Sequence, residues 1–373
     1  MKPSKVIHVC AHYPPYLGGL EKVVQSLASY RNRLGLPVEV LTSQTGDRAD
    51  EAADAEFVQR LGSFSVAHTT VMPSLVTRLL RLGGNAVVHL HVSQAFTSEA
   101  VYLAGLVKKV PYVAHMHIDV GPSGSAGFLL HAYKPFILGP VLRGAAVVVV
   151  FTEEQRRAIG LKYRIDPRRI EVIPNGVENA FFSTQRRVRR RRPRLLFVGR
   201  LAVQKNIPLL LHALDGISER FETVLVGDGE LGAELKALAE SLHLENVRFH
   251  GRADGADLID LFRQADLFVL PSEREGMPLV LLEAMAMGLP TVATDIAGSR
   301  DVVLDGENGR LVPLGDAAAM RRALLELVSD DREYSRMSES ARKSAERFTW
   351  DAVGQDFEEI YARVMNPVTE APT

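Results

Sequence analysis

Two glutamates separated by seven residues lie on either side of a predicted helix start. Glu275 precedes Pro278, which suits the beginning of a helix, and Glu283 follows it. The apolar run 265–270 before them is typical of a buried parallel strand. A diphosphate would repel both carboxylates, so we expect them to face neutral hydroxyl groups, for which a carboxylate is a good acceptor.

The same segment provides backbone amides for an anion. The helix predicted from Leu279 begins just beyond the carboxyl end of a strand, where doubly wound sheets bind ligands. We expect Gly276, Met277 and Leu279 to present amides there, because N–H groups and the helix dipole favour phosphate at a helix N-terminus. Carboxylates for sugar hydroxyls beside amides for a diphosphate together predict a binding site for a nucleotide sugar.

The segment 271–303, with its Glu-x7-Glu spacing, resembles the signature of the retaining GT-B glycosyltransferases of family 4. The similarity extends over nearly the whole chain. It implies an α/β fold with two Rossmann-like, doubly wound parallel-sheet domains that face a cleft. It also implies that a hexosyl or N-acetylhexosaminyl group passes from a nucleoside-diphosphate sugar to a hydroxyl acceptor, with retention of configuration and without a metal ion.

The resemblance assigns roles to the donor-side residues. It places Glu283 on the ribose, Glu275 on the hexose, and Arg200 with Lys205 on the leaving diphosphate. Many members have glycine after that lysine, where this chain has Asn206. The expected donor-binding residues are Gly18, Gly19, Arg200, Lys205, Arg252, Glu275, Gly276, Met277, Pro278, Leu279 and Glu283.

Gly18 and Gly19 follow the first predicted strand and open the first helix. Paired glycines let a backbone approach a ligand closely, and the pair resembles the family's Gly-Gly loop near the donor diphosphate and the acceptor. Arg252 belongs to a segment that resembles the one whose backbone meets the nucleotide base. Asp301 departs from the glutamate that is usual at its position, which leaves contacts through that carboxylate open.

Two His-x-His pairs, His89 with His91 and His115 with His117, lie on predicted strands. Alternate residues share one face of a strand, so the pairs could bind a metal. We expect no metal, because no Asp, Glu or Cys ligand has a matching spacing. His117 matches the family's histidine near the reacting sugar; the alternative is a core histidine. His91 is expected at the end of its strand, next to a loop with Ser93 and Gln94 that would face the acceptor. The expected catalytic residues are His117, Glu275, Arg200 and Lys205.

Length and composition fit this interpretation. A chain of 373 residues suits two domains, and a net charge of −1 argues against nucleic acid as a partner. The single cysteine, Cys10, and an N-terminus without a signal-peptide pattern predict a cytoplasmic protein. The predicted divisions are 1–182 for the acceptor domain, 183–193 for a basic linker, 194–349 for the donor domain, and 350–373 for a helix that crosses back to the first domain and ends in a disordered tip.

Several alternatives stay open from sequence. A glycosidase also uses two carboxylates, although amides that bind phosphate argue against it. A GT-B epimerase or phosphorylase would share the fold, and a non-enzymatic nucleotide-sugar binder would share the site. The partners expected are a nucleoside-diphosphate sugar, with UDP favoured over GDP, and a glycan, lipid-linked sugar, cyclitol or secondary metabolite. No other cofactor is expected, and the arginine run 186–194 leaves peripheral membrane contact open.

Overall fold

The computed structural model describes residues 5–16, 18–44, 55–66, 69–117, 133–182 and 190–366. They form two compact units. The first contains the chain up to Asn175 and the stretch from Trp350 onward, and the second contains Gly176–Thr349. Of the expected linker, 183–189 lies outside the described residues, as does the expected disordered tip from 367 onward.

The division after Asn175, and not after residue 182, has a local cause. Val177 forms a bridge with Thr349, and its N–H donates to the carbonyl of Phe348. The ring of Phe181 meets that of Phe262 edge to face at 5.5 Å. The chain therefore joins the second unit before the arginine run begins.

The first unit is built on a seven-stranded parallel sheet in the order β3-β2-β1-β6-β7-β8-β9, beside a small antiparallel pair, β4-β5. Its strands are β1 (Lys5–Val9), β2 (Val38–Ser43), β3 (Val58–Leu61), β4 (Phe64–Val66), β5 (Thr69–Val71), β6 (Ala86–Val92), β7 (Tyr112–Met116), β8 (Val147–Val150) and β9 (Ile170–Val172). Its helices up to residue 163 are α1 (Gly19–Arg33), α2 (Ser74–Leu80), α3 (Thr97–Lys108), α4 (Gly139–Gly144), preceded by a π-helical turn at Lys134–Leu138, and α5 (Glu153–Tyr163). Of the helix expected over 128–143, residues 128–132 lie outside the described chain.

The second unit is a six-stranded parallel sheet in the order β12-β11-β10-β13-β14-β15. Its strands are β10 (Arg194–Val198), β11 (Glu222–Val226), β12 (Val247–Gly251), β13 (Leu267–Leu270), β14 (Thr291–Thr294) and β15 (Gly309–Val312). Its helices are α6 (Ile207–Leu214), α7 (Gly232–Ser241), α8 (Gly255–Gln264), α9 (Leu279–Ala286), α10 (Ala297–Arg300), α11 (Ala317–Leu327) and α12 (Asp331–Ala345).

Both sheets have fully buried central strands, because helices cover both faces of a parallel sheet. β8 reads Val-Val-Val-Val and β13 Leu-Phe-Val-Leu, and every residue of both is buried. In the second unit the strand order changes direction between β10 and β13. A doubly wound sheet binds its ligand at such a point, outside the carboxyl ends of the strands.

The C-terminal helix α13 (Trp350–Met365) packs in the first unit, against α1 and β6. Arg31, buried on α1, pairs with Glu358, and the Tyr361 hydroxyl lies 2.6 Å from His89 Nδ1. The chain thus crosses between the units twice. Over the described ranges, no helix combines the length and apolar character needed to span a bilayer.

Candidate active site

Lys205 and Glu275 form an ion pair at the switch point of the second sheet. Lys205 ends a 3₁₀ turn after β10, and Glu275 lies in the loop between β13 and α9. Nζ of the lysine is 2.6 Å from Oε1 of the glutamate, and the side chains are 18% and 9% exposed. Glu275 was expected to face only neutral groups, so its pairing with an ammonium corrects that expectation. The second oxygen, Oε2, has no hydrogen bond within the described ranges.

The pair is held by its sequence neighbours. The Gln204 side-chain amide donates to the carbonyl of Arg274 at 2.6 Å, and the Glu273 N–H donates to the carbonyl of Gln204 at 2.9 Å. Asn206 adopts the left-handed conformation, with φ 44° and ψ 45°. Glycine adopts this conformation without strain, and asparagine tolerates it better than most residues. The departure at Asn206 therefore retains the turn that carries Lys205.

Helix α9 begins at Leu279, as the sequence predicts. Pro278 is the N-cap, in an extended conformation, and not a first-turn residue. No side chain caps the helix. Among the described residues, the amides of Gly276 and Leu279 have no hydrogen-bond acceptor. Such amides at a helix N-terminus can bind an anion.

Gly298 lets two segments of the site meet. A Cβ at this position would lie 2.6 Å from the carbonyl oxygen of Gly276 and 2.8 Å from that of Glu275. Only glycine fits, because real Cβ atoms do not approach so closely. Helix α10 therefore supports the loop that presents Glu275. Asp301, just beyond α10, is exposed.

Glu283 lies in the second turn of α9 and is 3% exposed. Met277 and Pro278 are buried before it. A buried carboxylate needs polar partners, and Glu283 has a partner in this structure. Its place on the helix that follows the anion-binding amides fits a contact with one hydroxyl-bearing part of a nucleotide.

Arg200 and Arg252 lie on either side of one acidic turn. Arg200 pairs with Glu230 at 3.2 Å, and Arg252 pairs with Asp228 at 2.6 Å. Both arginine side chains are more than 60% exposed. Exposed pairs of this kind contribute about 0–1 kcal/mol, so an anionic ligand can replace the carboxylates at little cost. Arg200 is thus tethered to the turn, and no contact within the described chain joins it to Lys205.

The paired glycines lie at the start of α1 in the first unit. Gly18 is the N-cap in an extended conformation, and Gly19 is the first helical residue. A Cβ on Gly18 would lie 2.1 Å from Oε2 of Glu21, so the glycine makes room for this buried carboxylate. Burial raises the pKa of Glu21 to about 7.

Five histidine side chains form what we call the histidine layer of the first unit. They lie on β1, β6 and β7 and directly after β7: His8, His89, His91, His115 and His117. His91 is fully buried and lies inside β6, which continues to Val92, so its side chain does not reach the surface expected to face the acceptor. His117 is 9% exposed, and Nε2 of its ring lies 3.0 Å from Nδ1 of His91.

Burial sets the protonation of this layer. It lowers the pKa of His117 to about 3 and those of His91 and His115 well below the ordinary value. The cause is loss of hydration by the charged ring in a low-dielectric interior. These rings are therefore neutral near pH 7, and His117 is suited to hydrogen bonding and not to cationic stabilisation.

Sequence reasoning missed Gln204, Gly298 as a packing residue, Glu21 and His8. Gln204 has no motif of its own; only its position next to Lys205 could have drawn attention to it. His8 stands alone in β1, and its role depends on pairing β1 with β6, which aligns His8 with His89. Long-range pairing of this kind is not visible in a single sequence.

Comparisons with known proteins cover both units. Residues 17–181 match the family model "Glycosyltransferase Family 4", and residues 180–344 match "Glycosyl transferases group 1". A D-inositol 3-phosphate glycosyltransferase of Xylanimonas cellulosilytica is 30% identical, over 93% of this chain and 92% of its own. A phosphatidyl-myo-inositol mannosyltransferase of Mycobacterium leprae is also 30% identical, over 95% of this chain and 96% of its own.

Solved structures share the fold. Anabaena HepE, in complex with UDP and glucose, superposes with a TM-score of 0.78 at 20% identity, over 96% of this chain and 99% of its own. A sucrose-phosphate synthase from Thermosynechococcus elongatus gives a TM-score of 0.79 at 20% identity, over 97% of this chain and 99% of its own. The expected GT-B fold is confirmed, and the chain belongs to the family 4 glycosyltransferases.

Proposed function

We propose that this glycosyltransferase moves a hexosyl or N-acetylhexosaminyl group from a nucleoside-diphosphate sugar to a hydroxyl acceptor. The observation that carries the proposal is the Lys205–Glu275 pair beside the amides of Gly276 and Leu279. It combines a cation and amides for a diphosphate with a carboxylate whose second oxygen can accept from a sugar hydroxyl. A glycosidase would need no such anion site.

The roles follow from position and charge. Lys205, Arg200 and the amides at the start of α9 stabilise the departing diphosphate, because fixed positive charge acts where negative charge develops. This stabilisation needs no metal ion. Glu275 accepts from hexose hydroxyls, and Glu283 from the ribose. Met277 and Pro278 shape the loop, and Arg252 lies where the nucleotide base is expected.

In the first unit, Gly18 and Gly19 provide a close approach for the ligand. His117 donates or accepts a hydrogen bond to a sugar hydroxyl as a neutral imidazole. We propose retention of configuration by attack on the same face. The bond from the anomeric carbon to the diphosphate oxygen breaks as the acceptor oxygen bonds to that carbon. The acceptor proton passes to the leaving phosphate oxygen.

The donor is proposed to be a UDP-sugar before a GDP-sugar, since HepE is described in complex with UDP. Inositol phosphates and phosphatidylinositol are the first acceptors to test, because both relatives are named for them. A cytoplasmic place of action, with or without contact at a membrane surface, stays a prediction.

Donor binding is tested first, by thermal denaturation with UDP-, GDP-, TDP- and ADP-sugars. A donor at about 100 times its dissociation constant adds about 2.7 kcal/mol to the unfolding free energy. Product analysis with and without acceptor then separates transfer from its alternatives. Epimerised sugar in the absence of acceptor would indicate an epimerase, and transfer to inorganic phosphate a phosphorylase. Binding without turnover for every acceptor class would contradict the proposal, and an inverted anomeric product would contradict retention.

A further inference from the structure

The five rings of the histidine layer are aligned with one another by the register of the strands that carry them. His8 pairs with His89 in the register of β1 and β6, and His91 pairs with His115 in the register of β6 and β7. All five rings therefore lie on one face of the sheet. Phe357 of α13 covers that face, with ring centroids 5.2 Å from His89 and 5.4 Å from His115.

Two hydrogen-bond chains run through the layer. One joins Nδ1 of His8 to Nε2 of His91 at 3.0 Å. The other joins the Tyr361 hydroxyl to Nδ1 of His89 at 2.6 Å, and Nε2 of His89 to Nδ1 of His115 at 3.3 Å. The second chain ends at Nε2 of His115, which is buried and has no hydrogen-bond partner within the described ranges.

A buried polar atom without a partner costs about 1–3 kcal/mol, and it often marks an ion or water. Three histidines of the layer also bring ring nitrogens close together. His91, His115 and His117 each offer one ring nitrogen, and these three atoms lie within 4.8 Å of one another. Nδ1 of His91 and Nε2 of His117 are 3.0 Å apart. Two imidazole ligands of a tetrahedral zinc ion are separated by about 3.3 Å, given Zn–N bonds of about 2.0–2.1 Å.

We propose that His91, His115 and His117 bind a divalent transition-metal ion of the zinc class. Nδ1 of His91, Nε2 of His115 and Nε2 of His117 are the ligands. Three imidazoles leave a fourth position, and His117, at the end of β7, is the member of the layer that reaches solvent. That position is open to water or to a substrate hydroxyl.

The remaining members of the layer orient the ligands. A metal-bound histidine usually donates its other N–H to a neighbouring acceptor, which fixes the ring and its tautomer. With a metal on Nδ1, His91 donates through Nε2 to Nδ1 of His8. His115 donates through Nδ1 to His89, and His89 donates in turn to the Tyr361 oxygen. One set of tautomers therefore satisfies both hydrogen-bond chains. It also gives Nε2 of His115, which otherwise lacks a partner, a metal ion to bind.

The alternative is a layer held only by hydrogen bonds between imidazoles. In that case Nε2 of His115 stays without a partner, and the 3.0 Å separation between His91 and His117 is an N–H···N bond. The metal site shares His117 with the proposed glycosyl transfer, but metal binding can be measured without donor or acceptor, so the two proposals can fail separately. It differs from the expectation of a protein without metal, while the diphosphate stabilisation proposed for Lys205 still needs none.

The test uses the whole chain, without a histidine tag, stripped with a chelator and dialysed. Zn²⁺ or Co²⁺ is then added, and bound metal is measured by elemental analysis after gel filtration. We expect a single bound ion, a gain in melting temperature, and the visible absorption of tetrahedral Co²⁺. If the stripped wild-type protein shows none of these three signs after the metal is added, the proposal is overturned. This measurement does not depend on the folding of any variant.

Variants then locate the site. His115→Gln should lose the ion and the absorption, whereas His250→Gln, an exposed histidine of the second unit, should retain both. His8→Gln should weaken binding by about 10–100-fold without abolishing it, as is typical for a residue that orients a ligand. Equal binding by His115→Gln and wild type, or equal loss in His250→Gln, would show that the layer is not the site.

Discussion

The ammonium of Lys205 contacts Glu275 directly, and its side chain is only partly exposed. In water such a charge would be strongly screened, but in a partly buried site it is screened much less. We propose that Lys205 serves two purposes. It holds Glu275 in place before the donor binds, and it stabilises the diphosphate as the donor reacts.

Replacement of Lys205 tests this assignment. Lys205→Met keeps much of the side-chain volume and removes the charge, so we expect kcat/KM to fall by about 100–1000-fold, as for loss of one donor to a developing anion. Lys236→Met, at an exposed lysine of α7, is the matched control and should react at the wild-type rate. Both rates are measured with a fixed donor and acceptor. Unchanged transfer in a folded Lys205→Met protein would remove Lys205 from the mechanism.

Asn206 offers a second test, of backbone strain. Its φ of 44° is a conformation that costs a branched residue about 1–2 kcal/mol. Asn206→Gly should therefore be neutral or slightly stabilising, and Asn206→Val should lower the unfolding free energy by about that amount. Chemical denaturation measures both. Equal stability of the two variants would show that this turn does not constrain its residue.

At the scale of elements, the central strands of both sheets could be predicted from sequence, as could the edge strand β12, but the other three edge strands could not. β10 and β13 are where the apolar runs place them, because a buried strand carries a continuous hydrophobic signal. β3, β9 and β15 were missed, and each lies at the edge of its sheet. β3 reads Val-Gln-Arg-Leu and is half exposed, so its composition does not distinguish it from a loop.

The candidate site divides in the same way. The Glu-x7-Glu segment, Lys205 and the paired glycines could be found, because motifs place such residues at strand ends. The direct contact between Lys205 and Glu275 could not, since 70 residues separate them in sequence. His91 was placed at a strand end beside an acceptor-facing loop, and only its neighbours His8, on β1, and His117, directly after β7, explain its burial.

Helix α10 is predicted to position the loop that carries Glu275, and a substitution at Gly298 tests this. Gly298→Ala would place a Cβ against the carbonyls of Glu275 and Gly276, so the loop must shift. Since a displacement of about 1 Å can reduce a rate by about 100-fold, we expect a large loss of kcat, together with a loss of about 1–3 kcal/mol of unfolding free energy from the backbone clash. Gly232→Ala is the control, because its Cβ would lie 3.7 Å from Leu201, an ordinary contact. Similar kinetics in both variants would show that α10 does not position the loop.

On the scale of the whole molecule, the chain returns to complete the first unit. Trp350, Val353, Phe357 and Ile360 of α13 are buried there, and Tyr361 joins the histidine layer. An amphipathic pattern predicts such a helix but does not say which sheet it covers. That information came from the resemblance to the family. The closing helix thus packs against α1 and β6, which precede it by more than 200 residues in sequence.

Acid–base behaviour of the whole chain gives the last prediction, which concerns Glu21. Its folded-state pKa is raised to about 7 by burial, above the ordinary 4.5. The folded protein therefore binds more protons than the unfolded one between these values, and stability falls as pH rises through the window. For each pKa unit by which the folded-state value exceeds the unfolded-state value, about 1.4 kcal/mol of unfolding free energy is lost across the window.

Glu21→Gln should remove this loss, so the stability that the variant gains over wild type should grow from about pH 4.5 and level off above pH 7. Denaturation at a series of pH values measures the gain, and Glu234→Gln, an exposed acid on α7, should show none. A gain that is independent of pH would mean that the pKa of Glu21 is the same in the folded and the unfolded chain.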